Sequence, residues 1–190
     1  MSTLYMVRHG QTLFNVLRRK QGWSDSPLTE LGIEQGRAAG AWLAANAPAF
    51  DHVYSSTSER CCDTAELLVP GQPYQRVKCL KEINFGRFEG LTEDVDVPLP
   101  YGDHYARFGG ETEDQLRRRV VDGLLDIMAR PGHECVLAVS HSVAMMQVPR
   151  AFGDDWTRHS DARPMPNCAI FRFDFDGRDL ALREVVDPMA

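Results

Sequence analysis

The stretch Leu4-Tyr5-Met6-Val7-Arg8-His9-Gly10 opens the chain with four apolar residues, then two basic residues and a glycine. A short apolar run of this kind predicts a strand buried in the interior of the protein. A histidine beside an arginine at the end of such a strand contributes little to packing. We therefore interpret His9 as a reactive group, and we expect later segments to place cations and hydrogen-bond donors around it.

Two later strands also end in polar groups. His52-Val53-Tyr54-Ser55 predicts a strand that runs into a hydroxyl-rich turn, with Arg60 in the first turn of the helix that follows. A cation there opposes the helix dipole, so its position indicates a nearby anion. Cys135-Val136-Leu137-Ala138-Val139 is a continuous apolar run, typical of a parallel strand buried on both faces. Ser140-His141-Ser142 follows it directly.

Helical patterns separate these strands. Thr29 is a candidate N-cap for a helix that ends before Pro48. Thr112-x-x-Gln115 is a capping box that opens another helix, and a further one is predicted from about Val143 to Phe152. The predicted inner face of the first of these helices consists of Leu31, Gln35, Ala38, Ala39, Trp42 and Leu43.

The remaining strand signals are weaker. Val77 to Leu80 predicts a short strand, and Cys168 to Phe175 and Leu180 to Val185 predict two strands joined as a hairpin through Asp176-Gly177. The alternation of strands and helices favours an α/β fold, a three-layer sandwich with a mostly parallel central sheet flanked by helices. A chain of 190 residues suits a single domain over 1–190, with a lid segment at about 84–110.

Ligands of such sheets bind at the carboxyl ends of the strands. If the three strands that end in polar groups are parallel neighbours, Arg8, His9, Arg60 and His141 converge at one edge. Two histidines and two arginines in one place predict a phosphate pocket, because guanidinium groups can grip phosphate oxygens with two N–H groups each.

Composition narrows the classes of partner. With 21 basic and 27 acidic residues the net charge is −6, which gives no reason to expect nucleic acid or an anionic membrane as partner. The chain lacks an apolar run long enough to span a membrane, and the apolar start is too short for a signal peptide. The 5 cysteines are odd in number and form no C-x-x-C, so we expect buried thiols and a cytoplasmic location.

The motifs, in their order, resemble the histidine phosphatase superfamily, the phosphoglycerate-mutase-like proteins, over nearly the whole chain. The first motif of the resemblance is Arg8-His9-Gly10-x-Thr12-x-x-Asn15. The others are Gln21-Gly22, Leu28-Thr29-x-x-Gly32, Ser55-Ser56-x-x-x-Arg60-x-x-x-Thr64-Ala65, Glu82-x-x-x-Gly86-x-x-Glu89-Gly90, Gly109-Gly110-Glu111-Thr112, Val139-Ser140-His141 and Asn167. The resemblance implies a phosphoglycerate-mutase-like fold.

The resemblance also implies roles. His9 would be phosphorylated during turnover, Glu82 would donate a proton, and no metal or organic cofactor would take part. Arg8, Arg60 and His141 would complete the catalytic set by holding the phosphoryl group. The residues implied to bind phosphate or substrate are Arg8, Asn15, Gln21, Gly22, Arg60, Glu82, His141 and Ser142. Ser142 is a departure, since family members usually have glycine after the second histidine.

Three functions fit these residues. The first is a metal-independent phosphomonoesterase acting on a small phosphate ester through a phosphohistidine at His9. The second is a phosphoglycerate mutase, and the third is a non-catalytic phosphate-binding protein of the same fold. The lid is short and acidic (Glu93, Asp94 and Asp96), and a small, open lid favours transfer of the phosphoryl group to water.

Other features are given less weight. A histidine-ligated metal hydrolase is disfavoured, because flanking arginines would repel a cation. His52, His133 and His159 receive no role, whereas contact of His104 with substrate stays open because it lies in the lid segment. Arg117-Arg118-Arg119 is interpreted as a solvated helix face. Neither the substrate nor the oligomeric state is specified by the sequence, and a homodimer is one alternative.

Overall fold

The structure is a computed structural model that describes residues 1–92, 94, 97–162 and 164–190. Of the acidic lid residues, Glu93 and Asp96 lie outside the described residues. Among the described residues, no helix is both long and apolar enough to cross a membrane.

Strands and helices alternate along most of the chain, as the sequence predicts. The strands are β1 (Ser2–Arg8), β2 (His52–Ser56), β3 (Gln75–Val77), β4 (Cys135–Ser140), β5 (Ile170–Phe175) and β6 (Leu180–Val186). The α-helices are α1 (Leu13–Val16), α2 (Glu30–Asn46), α3 (Glu59–Leu68), α4 (Glu113–Met128) and α5 (Ser142–Ala151). Short 3-10 helices lie at Lys78–Leu80, Gly86–Phe88, Tyr105–Phe108 and Trp156–Arg158.

The described strands form one six-stranded sheet in the order β3-β2-β4-β1-β5-β6. β3, β2, β4 and β1 pair in parallel, and β5 and β6 pair antiparallel as the predicted hairpin. β4 lies between β1 and β2 and is buried along its whole length. The expected mostly parallel α/β sandwich is therefore confirmed.

Two apolar cores cover the two faces of the sheet. On one face Leu43 of α2 and Ala65 of α3 pack with Val7 of β1. On the other face Leu124 of α4 and Met145 of α5 pack with the remaining side chains of the same strands, for example Met6. Successive residues of a strand point to opposite faces, so the continuous apolar runs of β1 and β4 supply both cores.

The inner face of α2 differs from the prediction. Leu31 is exposed, and the buried residues are Gly32, Gly36, Ala39, Gly40 and Leu43. A Cβ at Gly40 would lie 2.9 Å from the carbonyl oxygens of Leu67 and Leu68. Glycines therefore let α2 approach α3 more closely than a row of large apolar side chains would.

The predicted strand Val77 to Leu80 is also wrong. The strand ends at Val77, and the next three residues form a 3-10 turn. Leu80 is nonetheless fully buried, which accounts for the apolar signal. The turn sends the chain away from the sheet edge, and Glu82 follows two residues later.

Candidate active site

The strand ends bring both candidate histidines to one edge of the sheet. His9 follows β1 and His141 follows β4, and these strands pair in parallel with Arg8 level with Ser140. The two imidazole rings lie 5.3 Å apart between centroids, at 66° to each other. His9 is 4% exposed and His141 is 0% exposed. The predicted convergence of the two histidines is confirmed.

His9 is held as a neutral ring with one nitrogen available. Its Nδ1 donates to the carbonyl oxygen of Gly10 over 2.8 Å, which leaves Nε2 unprotonated in the neutral tautomer. Burial lowers the pKa of His9 well below its ordinary value, and the nearby Arg60 and Arg8 lower it further. Nε2 makes no hydrogen bond within the described part of the chain, so it has the character of a nucleophile.

Gly10 allows the close packing of the chain after His9. A Cβ at Gly10 would lie only 2.5 Å from the carbonyl oxygen of Gly32, so a larger residue would push this turn away from α2. The N–H of Gly10 donates to the hydroxyl oxygen of Thr64 on α3. Asn167 donates to the carbonyl oxygen of His9 over 3.0 Å. These contacts fix the backbone on both sides of the ring.

Arg60 is a fully buried cation beside both histidines. Its Nη2 donates to His141 Nδ1 over 2.8 Å, and its Nη1 forms a 2.9 Å ion pair with Asp25. It also donates to the carbonyl oxygens of Gln21, Gly22 and Ser24. Its Nε is buried without a hydrogen-bond partner among the described residues. A buried N–H without an acceptor is costly. The anion that the sequence led us to expect near Arg60 is therefore at least in part Asp25.

His141 has both ring nitrogens engaged by protein. Since Nδ1 accepts from Arg60, Nε2 carries the hydrogen and donates to Ser56 Oγ over 2.8 Å. Burial lowers the pKa of His141 well below its ordinary value, and Arg60 and His9 add to this effect. In this conformation His141 orients Arg60, and its role as a direct phosphate donor stays a prediction.

The pocket at this edge has a volume of about 120 Å³. Six of the predicted site residues contribute to its lining: Arg8, His9, Asn15, Gln21, Glu82 and Ser142. Gly22, Arg60 and His141 do not contribute to it, and Arg60 and His141 are buried behind it. The predicted set is thus brought to one place but in two layers.

Asn15 and Gln21 are both fixed by Thr12. The Thr12 hydroxyl bonds with Gln21 Oε1 over 2.7 Å and with Asn15 Oδ1 over 3.1 Å. The Nε2 of Gln21 donates to Ser26, so Gln21 lines the pocket as part of a protein network. The amino group of Asn15 makes no hydrogen bond within the described residues and can donate to a ligand.

Ser142 is the first residue of α5, and the left-handed backbone conformation is not adopted there. Serine in place of the usual glycine is therefore free of backbone strain. Its position at a helix N-terminus beside His9 suits contact with an anion.

Glu82 is a buried carboxyl group set on the N-terminus of α5. Its oxygens accept from the N–H groups of Val143 and Ala144 over 3.0 and 2.9 Å, and from Ile83 over 3.0 Å. Burial raises the pKa of Glu82, while the three backbone N–H groups and Arg60 oppose the increase. The net rise favours the protonated form, which is the form that donates a proton.

Glu89, which the sequence showed only as part of a motif, holds the loop around the site through hydrogen bonds to its backbone. Its two oxygens accept from the N–H groups of Gly22, Trp23 and Ser24 and from Phe85. Glu89 therefore joins the loop that contacts Arg60 to the segment that carries Glu82. The sequence signal for this role was the motif that places Glu89 beside Gly90 and three residues after Gly86.

Arg119 is not the solvated residue that the sequence suggested. It forms two hydrogen bonds with Glu111, of 2.9 and 2.8 Å, and Glu111 in turn accepts from the N–H of Asn84. The same guanidinium donates to the carbonyl oxygens of Cys79, Lys81 and Glu82. Arg119 therefore holds the segment that presents Glu82.

Other pocket residues were missed in the sequence. Arg19, Lys20, Phe85, Tyr101 and Val143 line the pocket together with the predicted set. His104, for which substrate contact stayed open, is not part of the lining and packs against Phe88, Tyr105 and Phe108. Tyr101, three residues earlier, lines the pocket, as does Phe85 near the start of the lid segment.

Comparison with known proteins agrees with this geometry. The family model of the histidine phosphatase superfamily (branch 1) matches residues 4–188. The chain is 31% identical over 188 residues to a probable phosphoglycerate mutase GpmB of Yersinia pestis, covering 92% of this chain and 86% of the other. The solved structure of Bacillus stearothermophilus YhfR is 32% identical, with a TM-score of 0.83 over 99% of this chain and 100% of the other.

A mycobacterial glucosyl-3-phosphoglycerate phosphatase, Rv2419c, solved in complex with VO3, is 25% identical with a TM-score of 0.77. The match covers 97% of this chain and 98% of the other. These relatives include a mutase and a phosphatase by name, and they share the fold described above. The chain belongs to the histidine phosphatase superfamily.

Proposed function

We propose that the protein is a metal-independent phosphomonoesterase that hydrolyses a small phosphate ester through a phosphohistidine at His9. One observation carries the proposal. His9 is a buried, neutral histidine with an available Nε2, in a pocket that Arg8 and Glu82 also line and behind which Arg60 is buried. Such a histidine can accept a phosphoryl group while the two arginines balance the negative charge of that group.

The first half of the reaction forms a bond between His9 Nε2 and phosphorus and breaks the bond between phosphorus and the ester oxygen. The protonated carboxyl of Glu82 gives its proton to the leaving alkoxide. The raised pKa of Glu82 supports this role, because the proton is present at higher pH than on an ordinary carboxyl group. General acid help of this kind contributes about 10²–10⁴ in rate.

In the second half, a water oxygen attacks phosphorus and the bond to Nε2 breaks. The carboxylate of Glu82 takes the proton from the water, and phosphate leaves. Arg8, the amino group of Asn15 and the N-terminus of α5 at Ser142 are the groups positioned to hold phosphate oxygens through both steps. The second step returns His9 to the neutral ring and Glu82 to the protonated carboxyl, so the site is ready for the next turnover.

The pocket at this sheet edge has a volume of about 120 Å³, which is enough for a phosphoryl group with a short carbon chain. The short lid segment supports water as the acceptor of the phosphoryl group. Phosphoglycerate mutase remains the second candidate, because a relative 31% identical carries that name.

The test is phosphate release from a panel of small phosphate esters with chelator present, for the wild type, His9→Ala and His52→Ala. We expect hydrolysis by the wild type, a loss of about 10³-fold or more in His9→Ala, and unchanged activity in His52→Ala. Brief incubation with a labelled ester should leave an acid-labile phosphoryl group on the peptide that contains His9.

Isomerisation of 3-phosphoglycerate, followed in the same tubes, separates the two candidates. Isomerisation without net phosphate release would establish the mutase and overturn the proposal of hydrolysis. Phosphate binding without turnover of any ester would favour the non-catalytic alternative. Activity that disappears with chelator would contradict metal independence.

A further inference from the structure

Glu113 is a buried carboxylate outside the pocket, and the reaction above gives it no role. It is the first residue of α4 and is 5% exposed, whereas the side chain of the next residue, Asp114, is 56% exposed. An acidic residue in the first turn of a helix stabilises the helix dipole, and an exposed side chain suffices for that. A carboxylate is almost never fully buried unless it is paired, so the partners of Glu113 must explain its burial.

One oxygen of the Glu113 carboxylate binds α5. Oε1 accepts from Gln147 Nε2 over 3.0 Å and from Arg150 Nη1 over 3.4 Å. Hydrogen bonds to a charged group are stronger than neutral ones, so this oxygen is held firmly against the helix. α5 is also the helix that begins at Ser142 and whose N-terminus holds Glu82.

The other oxygen binds the lid segment. Oε2 accepts from the N–H of Gly102 over 3.3 Å, and the backbone N–H of Glu113 donates to the carbonyl oxygen of Gly102 over 2.8 Å. Gly102 is thus bonded to the same residue in both directions. Its φ is +55°, a conformation that glycine adopts without strain. Glu113 therefore fixes the lid segment at a point where the backbone itself is permissive.

The lid residue directly before Gly102 belongs to the pocket. Tyr101 lines it, and its ring lies edge-on to that of Phe85, another lining residue, with 6.0 Å between the centroids. Ser142, at the start of α5, lines the same pocket. Two parts of the pocket wall that are remote in the sequence are therefore both joined to Glu113, the lid through one oxygen and α5 through the other.

Resting on the function proposed above, we propose that Glu113 is a positioning residue whose carboxylate holds the Tyr101 wall in place relative to the N-terminus of α5. Arg8 and the N-terminus of α5 receive the phosphoryl group in that reaction, which leaves the Tyr101 wall for the organic part of the ester. Such a wall contributes to binding of the substrate and of the transition state alike. Its displacement therefore raises KM and leaves kcat nearly unchanged.

Glu113→Gln tests this role with little change of size. Its amide has one acceptor oxygen, so it can serve the lid or α5 but not both. Kinetics on phenyl phosphate, whose phenol leaving group needs a proton, should show a KM about tenfold higher and a kcat within about twofold of the wild type. Asp114→Asn, at the next residue of α4, is the matched control and should change neither constant.

A double-mutant cycle separates positioning of Tyr101 from a general effect on structure. In a Tyr101→Ala background the wall is absent, so Glu113→Gln should change kcat/KM by less than about twofold. Equal losses with and without Tyr101 would overturn the inference, because Glu113 would then act by another route. A fall in kcat with KM unchanged would overturn it too, since that would indicate displacement of Glu82 through α5.

Gly102→Ala is a second variant, which disturbs the same connection from the lid side. A side chain at a positive φ strains the backbone there and leaves the carboxylate itself intact. It should give the same rise in KM and the same lack of effect in the Tyr101→Ala background, also if urea unfolding shows that Glu113→Gln is not folded. A KM equal to that of the wild type in Gly102→Ala would contradict the inference.

Two measurements without turnover separate this inference from the proposed function. Hydrogen exchange in the lid peptide that contains Gly102 should be faster in Glu113→Gln and unchanged in Asp114→Asn. In His9→Ala, calorimetry should show phenyl phosphate binding about tenfold weaker when Glu113→Gln is added. Both results without hydrolysis of any ester would refute the phosphatase and leave the positioning role standing. Hydrolysis that depends on His9, with exchange and binding unaffected by Glu113→Gln, would refute the positioning role alone.

Discussion

Two pairs of histidines lie at opposite ends of the central sheet. His9 and His141 follow the carboxyl ends of β1 and β4, with their rings at 66°. His52 begins β2 and His133 precedes β4, and their rings are stacked at 3.8 Å with 13° between their planes. The same residue type, in the same sheet, is placed in two environments.

The two environments differ in the groups that contact the imidazole rings. His133 Nε2 pairs with the Tyr54 hydroxyl over 2.7 Å, and its ring packs against His52, so no space for a ligand separates them. His9 faces a pocket and has a buried arginine as neighbour. The pKa of His133 is also lowered, first by burial, so a depressed pKa occurs at both ends of the sheet. The pocket and the cations therefore distinguish His9 as the candidate catalytic histidine, and a lowered pKa alone does not.

The largest expected effect comes from exchanging one ring in each pair. His141→Gln replaces the ring nitrogen that accepts from Arg60 with a flexible amide, so the guanidinium loses its fixed position beside His9. We expect a fall in kcat/KM of about 10²–10³-fold, as for loss of one preorganised charge-stabilising group. His133→Gln should change it by less than about twofold, measured as phosphate release under identical conditions.

Stability must be followed with both variants, because each ring is hydrogen-bonded. Urea midpoints for the two proteins should fall by similar amounts. Equal losses of activity in the two variants, in samples shown to be folded, would mean that the difference between the two ends is not catalytic.

A second difference between the two ends is the carboxyl group near each pair. Asp51, close to the stacked pair, is exposed, and its Oδ2 accepts from the N–H groups of Glu134 and Cys135. Glu82 is buried, and Arg119 holds its segment through Glu111 and backbone carbonyl oxygens. Arg119→Leu should loosen the segment that presents Glu82 and lower kcat by about tenfold. This is less than the full contribution of a general acid, because Glu82 itself is still present.

The pH profile distinguishes this positioning role from a general loss of structure. Burial raises the pKa of Glu82, so a loosened segment that exposes it lowers that pKa towards the ordinary value. The basic limb of the kcat profile should therefore move to lower pH in Arg119→Leu, and Arg119→Lys should restore it only in part. Arg118→Leu, at a side chain that is 76% exposed, is the control and should leave the profile unchanged. An unshifted limb in Arg119→Leu would count against the positioning role.

The comparison also explains which parts of the molecule could be predicted. Arg8, His9 and His141 were found because apolar runs fix where strands end, and parallel strands bring those ends together. Lys20 and Tyr101 come from loops, and their meeting depends on hydrogen bonds between residues 20 and 90–91, which are remote in the sequence. Local patterns hold no information about such pairing.

Arg119 could have been recognised with more attention to helix geometry. It lies three residues after Leu116 and directly before Val120, both fully buried, so it borders the apolar stripe of α4. Three consecutive arginines suggested a uniform surface instead. The partners that decide its role, carbonyl oxygens of the 3-10 turn and Glu82, follow from tertiary structure alone.

The smallest effect concerns stability against pH, where the two pairs should behave alike. The folded protein keeps His9 neutral, whereas in the unfolded chain its pKa is near the ordinary value of about 6.5. The unfolded state therefore binds more protons as pH falls below about 6.5, and stability decreases towards lower pH. His9→Gln removes this dependence. As pH falls through that window, the free energy of unfolding of the variant should therefore rise relative to that of the wild type by up to about 1.4 kcal/mol per pH unit.

His133→Gln should show a relative gain of the same sign, because burial lowers the pKa of His133 too. Urea unfolding of the three proteins between pH 7.5 and pH 5 measures both differences. If only His9→Gln gains, the two pairs differ in protonation as well as in catalysis, and the pocket arginines rather than burial dominate at the active end.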